Sequence, residues 1–544
     1  MHILKNDRQQ DWIISLLIIA TIILILGIPF TKWGFKTDDW ANILHSKLQS
    51  FADLKNLFTE GNMESINHPS GSGQDRGSFL QGLYRPLSFV YYWPQTLLFG
   101  TQAYGYFLVT IILHALNTGL FFLIMRNFFD ITASLLAALF FGFHPSLQNW
   151  LGWISAQTYF IELFFLGLIF ICFYRWLQTR RLHWYLGTIA LFFLNLLLKE
   201  ASIILCAWVF LATLVYTNKI TRNSLWLACK ASLGFIFTAL GYCLIRLDCM
   251  PFVASNTTTL GFTLSWQSFI TKQISRSMQF LTYLYDILGL TWLPKGHRIA
   301  NGCLLFVIII VLAILFFKSK HKKMILFCFI STIMFSWPGL LMHYQQRYMY
   351  MALPWIIVTL ILLLQGISSK KNLFCVLTLF YIATNACYVF ANMKEREFAL
   401  HWLDTSTRTL VTQDLPEAGW QREPLCFIGL PTHWFDMGTA QAVWFLDDKP
   451  VESYFVYQSG PAIRMPRQDH ARAIPRSDKT AVIQMIHNNS ITIELSNAQE
   501  LELLHCEKKN ATAVDIERFS NNVWFITWDY AHAKFKILGR KQVP

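Results

Sequence analysis

Trp12-Ile-Ile-Ser-Leu-Leu-Ile-Ile-Ala-Thr-Ile-Ile-Leu-Ile-Leu-Gly-Ile-Pro-Phe30 is followed shortly by Lys36-Thr-Asp-Asp-Trp40. The first stretch is almost wholly apolar and long enough to cross a bilayer, which takes about 20 such residues as a helix. Lys5 and Arg8 precede it, and basic flanks stay on the cytoplasmic side. It lacks a small-residue cleavage site and exceeds the apolar region of a signal peptide, so it reads as a retained span. Asp38 and Asp39 then emerge on the far side, at the membrane surface. Two adjacent carboxylates there suit a base, or a base and its orienting partner, acting where lipid meets water.

The rest of the chain agrees with a membrane setting. Hydrophobic residues make up 54% and charged residues 14%, against about 25% charged in a soluble domain. Mean hydropathy is +0.38. The net charge of +13 does not indicate nucleic acid, because the basic residues recur in short clusters between apolar runs, as topology signals do. The eleven cysteines lie mostly inside apolar runs, where they act as small hydrophobes. No C-x-x-C pair or Cys/His ligand spacing appears, so neither a metal nor a cofactor is expected.

Alternating the basic clusters gives a path. After the first span, residues 32–103 form a large outer loop containing Tyr84-Arg-Pro-Leu87. Spans are then predicted at Tyr104–Met125, Ile131–Leu147, Trp153–Phe173, Trp184–Leu198, Ile203–Tyr216 and Leu225–Ile245. Met278–Leu293 carries Asp286 and reads as re-entrant or interfacial. Cys303–Phe317, Met324–Leu341, Met351–Leu364 and Leu373–Phe390 complete about eleven spans. The predicted fold class is an α-helical polytopic membrane protein with its N-terminus cytoplasmic and its C-terminus outside. Residues 1–390 are the transmembrane domain and residues 391–544 a soluble, strand-containing α/β domain. In that second part charge rises, prolines punctuate, and Leu425–Ile428, Ala481–Met485, Ile491–Leu495 and Val523–Trp528 read as strands. Cys426 and Cys506 lie there, either as a disulfide or as two separate buried thiols.

Charges at or inside a membrane are costly unless paired or functional. Those of interest fall on the outer side: Asp38, Asp39, Arg85, His144, Lys199, Glu200, His343, Arg347 and its neighbour Tyr348. An acid pair with dispersed cations suits a reaction that deprotonates a nucleophile and stabilises an anionic leaving group. A phosphate leaving group favours Arg for bidentate contact. Each residue also has a plainer reading. The acid pair is a helix cap or solvated loop, Arg85 snorkels, Lys199-Glu200 is a local ion pair, Arg347 is an interfacial anchor, and His144 bonds a helix end.

Phe35-Lys-Thr-Asp-Asp-Trp-Ala-Asn-Ile43, Tyr84-Arg-Pro-Leu87, Leu113-His-Ala-Leu-Asn117, Phe143-His-Pro145, Trp153-Ile-Ser155, Leu198-Lys-Glu200 and Arg347-Tyr-Met-Tyr-Met-Ala-Leu-Pro354 occur in this order. Together they resemble the GT-C glycosyltransferases, in particular the transmembrane O-mannosyltransferases that carry tetratricopeptide repeats and their bacterial cousins. The resemblance covers roughly residues 12–370 and leaves out the repeats. It implies an inverting transfer of a sugar from a polyprenyl-phosphate donor to a hydroxyl of an envelope glycan, lipid or exported protein. The setting it implies is the periplasmic face of a bacterial inner membrane. Asp38 takes the role of catalytic base and Asp39 orients it or binds the acceptor. Arg85, Lys199, Arg347 and Tyr348 are the expected donor-phosphate residues, with His144, Glu200 and His343 as candidate substrate contacts. Asn149, Gln157 and Tyr159 stand where the relatives carry charge. Two other classes are kept open: a polysaccharide polymerase or ligase using a diphosphate-linked glycan, and a transporter of lipid-linked glycans.

Overall fold

Apolar runs bounded by short polar turns become helices here, because a backbone in lipid must satisfy its own hydrogen bonds. A computed structural model describes residues 8–27, 84–218, 220–249, 298–341, 346–365, 379, 382–387 and 404–420, parts of 34–59, and beyond 420 the strands. The chain divides into two units. One comprises Met1–Thr31, Tyr84–Ser88 and Phe107–Met393; the other comprises Lys32–Leu83, Phe89–Tyr106 and Lys394–Pro544.

The helices are α1 (Arg8–Gly27), α2 (Phe51–Thr59), α3 (Pro86–Phe99), α4 (Ala103–Met125), α5 (Ile131–Gly142), α6 (Gln157–Thr179), α7 (Leu182–Leu198), α8 (Leu205–Thr217), α9 (Arg222–Cys249), α10 (Arg298–Lys318), α11 (Lys322–Leu341) and α12 (Leu353–Gln365). Among the described residues, five helical stretches are long and apolar enough to cross a membrane: Gln9–Gly27, Ala103–Met125, Ile154–Thr179, Glu200–Thr217 and Arg222–Cys249. Ile131–Gly142, Leu182–Leu198, Phe306–Lys318 and Leu353–Leu364 are shorter apolar helices. Met278–Leu293 and most of Leu373–Phe390 lie outside the described residues.

In the first unit, α1 sits close against α4 and α5. A side chain at Gly119 would meet Ile19 at 2.8 Å, and one at Gly142 would meet Ile22 at 2.7 Å; small residues at such crossings let helices approach in membranes. Just past the end of α4, Arg126 pairs with Asp11 at 2.6 Å and donates to the Phe129 carbonyl. Asp130 caps α5 through the Ala133 N–H. That helix stops at Gly142, short of the predicted Ile131–Leu147, because His144-Pro145 begins a turn and the residue before proline disfavours helix. The pair α6 and α7 turns back at Arg180, which takes a left-handed φ of 56°. Trp208 on α8 is fully buried among Phe327, Phe335 and Trp355 and donates to Ser331 Oγ at 3.1 Å.

In the second unit, the strands are β1 (Leu425–Ile428), β2 (Ser453–Gln458), β3 (Ala481–Gln484), β4 (Ile491–Leu495), β5 (Leu501–Leu503), β6 (Ala513–Val514), β7 (Val523–Asp529) and β8 (Lys534–Lys541). One sheet runs β5-β2-β1-β7-β8, with β1 parallel to both neighbours and β8 antiparallel on the edge; β3-β4-β6 form a second sheet. The side chain of Cys426 and all of Cys506 lie outside the described residues.

Candidate functional site

The polar centre of the first unit is built at the end of α7. Lys199 leaves the helix with extended backbone, φ −162° and ψ 122°, before a 3-10 turn over Glu200–Ile204. This change sends two sequence neighbours to different partners. Glu200 accepts Nε and Nη2 of Arg85 at 2.8 and 2.5 Å, the forked geometry that makes guanidinium–carboxylate pairs strong. Burial lowers the Arg85 pKa, but the Glu200 carboxylate outweighs it, so the guanidinium stays charged. Lys199 turns instead to Glu162 on α6, with Nζ 3.7 Å from Oε2 and both side chains at most 5% exposed. The 84–88 segment is fixed around this pairing. Ser88 Oγ donates to the Leu198 carbonyl, and Tyr242 OH donates to the Tyr84 carbonyl.

Aromatic rings frame Lys199. Its ammonium lies over the Tyr159 ring, 2.8 Å from the centroid, and 5.7 Å from that of Tyr348. The two rings meet edge to face at 5.9 Å. Between them is a cavity of about 20 Å³, lined by Tyr159, Glu162, Asn195, Lys199, Ser202 and Tyr348 among others, enough for one water. Ser202 Oγ donates to Glu162 Oε1 at 3.0 Å. Asn195 is wholly buried, and neither atom of its amide has a protein partner among the described residues.

A second polar node lies on Tyr350. Nε2 of His114 faces the Gly142 carbonyl at 3.2 Å. A carbonyl only accepts, so this nitrogen carries the proton. Nδ1 then accepts from Tyr350 OH at 2.9 Å, and Asn117 Nδ2 donates to the same hydroxyl at 3.2 Å. Burial pushes the Tyr350 phenol well above its ordinary pKa, which keeps the hydroxyl protonated for this role.

The acid pair belongs to the second unit. Asp39 is fully buried, between Phe35 at 1% and Trp40 at 2% exposure; Asp38 lies outside the described residues. Phe35 packs on Trp40 at 4.6 Å and on Tyr106 at 5.5 Å. Arg408 lies over both the Trp40 and Phe35 rings.

Of the other predicted residues, Tyr348 is half-buried beside Lys199. Arg347 has its backbone in the 3-10 turn Gln346–Met349, and its side chain is not among those described, nor is His343. His144 is buried, accepts the Ser146 N–H at Nδ1 and stacks on Trp150, so its ring shapes the turn after α5. The sequence reading missed Glu162, Asn195 and Arg408. The signal for the first two is a lone polar residue within an apolar helix.

Among solved structures, the chain is similar to an oligosaccharyltransferase of Archaeoglobus fulgidus in complex with zinc and sulfate, at 14% identity and a TM-score of 0.43, over 82% of this chain and 67% of that one. It is also similar to the archaeal oligosaccharyltransferase AglB from the same organism with an inhibitory peptide and a dolichol-phosphate, at 14% identity and a TM-score of 0.41, over 81% and 69%. A third is ArnT from Cupriavidus metallidurans bound to undecaprenyl phosphate, at 11% identity and a TM-score of 0.46, over 82% and 93%. No family model matches the chain, and no curated protein matches it.

Proposed function

We propose that this chain is an inverting membrane glycosyltransferase that moves a sugar from a polyprenyl-phosphate donor to a hydroxyl acceptor on an envelope glycan, lipid or exported protein. The observation that carries the reading is convergence. Tyr84-Arg-Pro-Leu87, Leu198-Lys-Glu200 and Arg347-Tyr-Met-Tyr350 are far apart in sequence, yet Arg85 grips Glu200 and Lys199 faces Tyr348. Leu113–Asn117 joins through Tyr350, and His114 also meets the Gly142 carbonyl just before Phe143. Four of the motifs that carry the resemblance thus form one connected patch.

In the proposed reaction Asp38 accepts the proton of the acceptor hydroxyl as its oxygen attacks the anomeric carbon. The bond from that carbon to the lipid phosphate breaks on the opposite side, and the phosphate leaves with the electron pair. Asp39 orients the base. Arg347 and a second cation receive the phosphate. Arg85 and Lys199 are the candidates for that place: Glu200 holds Arg85 through Nε and Nη2, and Glu162 Oε2 stands 3.7 Å from Lys199 Nζ. A bacterial inner membrane with residues 391–544 in the periplasm is part of the same reading.

The test uses purified protein in nanodiscs, radiolabelled undecaprenyl-phosphate sugars, the matching diphosphate-linked glycans, and an envelope glycan fraction as acceptor. Transfer from the monophosphate, reduced at least about a hundredfold in Asp38→Asn, is the expected result. Consumption of the diphosphate alone would mark a polymerase or ligase. Near-normal turnover by Asp38→Asn would remove the catalytic assignment.

A further inference from the structure

We infer that Arg408 is a positioning residue that clamps the segment carrying the acid pair, so that a residue from the C-terminal part of the chain sets the placement of the base. This rests on the acid pair acting as proposed above. Arg408 lies in the helical stretch 404–409. Its guanidinium is engaged at two nitrogens and over aromatic rings. Nε donates to Asp404 Oδ2 at 2.8 Å, and Nη2 donates to the Thr101 carbonyl at 2.5 Å. Its centre lies 5.1 Å from the Trp40 ring and 5.6 Å from the Phe35 ring. A planar fork can bond along its edges and stack on aromatic faces at once, which a lysine ammonium cannot do.

These contacts gather three separate stretches of chain. Phe35 and Trp40 bracket the acid pair, Thr101 lies in the turn between α3 and α4, and Arg408 comes from more than 300 residues further on, the Arg408–Thr101 separation being 307. Phe35 closes the group by packing on Tyr106, which is itself buried and donates to the Gly100 carbonyl. Asp39, next to Trp40 in the chain, has no exposed surface. Asp404 balances the charge of Arg408, and two of the three guanidinium nitrogens already donate. The arrangement therefore suits fixing a loop rather than receiving an anionic substrate. A base displaced by about 1 Å loses on the order of a hundredfold in rate, so a clamp of this kind governs turnover more than donor capture.

The experiment uses the full chain in nanodiscs with the donor and acceptor fraction named above, together with amide hydrogen exchange read by mass spectrometry. Arg408→Ala should lower kcat about a hundredfold with donor KM unchanged. Exchange in peptides spanning residues 39–48 and 98–106 should rise tenfold or more, as for one lost charge-assisted hydrogen bond, with 157–198 unaffected. Arg408→Lys should recover part of both. A wild-type kcat in Arg408→Ala, or a lower kcat with exchange at 39–48 unchanged, overturns the inference. If Arg408→Ala does not accumulate in the membrane, Asp404→Asn decides: faster local exchange with lower kcat supports the clamp, and no change in either removes it. If the wild-type chain transfers no sugar, the catalytic reading falls, and exchange alone then shows whether Arg408 holds this segment.

Discussion

Replacing Glu162 by glutamine should destabilise the protein strongly, and a second substitution at Lys199 should recover most of the loss. The two charges stand 3.7 Å apart with side chains 5% and 4% exposed. At that distance, with an effective dielectric near 20, their attraction is about 4 kcal/mol. Removing the carboxylate leaves a buried ammonium without its counter-charge, and breaking such a pair typically costs about 3–5 kcal/mol. Lys199→Met leaves the carboxylate in the same position and should cost a similar amount. The double substitution Glu162→Gln/Lys199→Met removes both charges, so only the contact with the Tyr159 ring and some packing are lost. It should lie within about 2 kcal/mol of the wild type, because neutral replacements of a buried pair are often tolerated. The coupling energy should then be about 3 kcal/mol or more, at the upper end for residues in contact. Denaturant unfolding in mixed micelles, followed by far-UV circular dichroism, measures all four proteins. Additive losses in the double variant would show that Glu162 and Lys199 do not act as a pair, and would refute the pairing described at the end of α7.

Arg347→Ala should raise the KM for the polyprenyl-phosphate donor, with Arg347→Lys recovering only part of the loss, because a point charge lacks the bidentate fit to phosphate. Unchanged donor KM in the alanine variant would make Arg347 an interfacial anchor. A reporter active only in the periplasm should be active when fused after Pro544, and a cytoplasmic reporter active after Lys323. The reverse pattern would mean a span has been miscounted, with Met278–Leu293 the first place to look.

Much of the helical frame was legible because apolar runs and basic turns carry it directly. Helix ends were less so: the run through Leu147 continues in composition past Gly142, and only the His144-Pro145 step marks the stop. The adjacent Lys199 and Glu200 were visible as charges, but adjacency suggests that they pair with each other. Extended backbone at Lys199 sends them apart, and no local pattern announces that. Glu162 was passed over because the resemblance directs attention to positions 157 and 159, which here are Gln and Tyr. The acid stands three residues after Tyr159, on the same helical face, and both meet Lys199. Arg408 had no comparable signal, since one of its partners is the backbone carbonyl of Thr101, which any residue would supply. Among the strands, β8 escaped because Lys534, Lys536, Arg540 and Lys541 obscure its pattern. Such charges are common on an edge strand, where they discourage pairing with another chain.

The interleaved pairing at the end of α7 also determines how an anion would experience this part of the protein. Arg85, Lys199, Glu162 and Glu200 contribute two positive and two negative charges in alternation, so their fields largely cancel a short way off. Attraction that reaches across solvent needs uncancelled charge and fades with added salt. A phosphate passing these four side chains would feel little pull until it touched them, and its capture there should depend weakly on ionic strength. For a ligand tethered to lipid that is no handicap. Diffusion in the plane of the bilayer already confines the search to two dimensions, and recognition at contact is then enough.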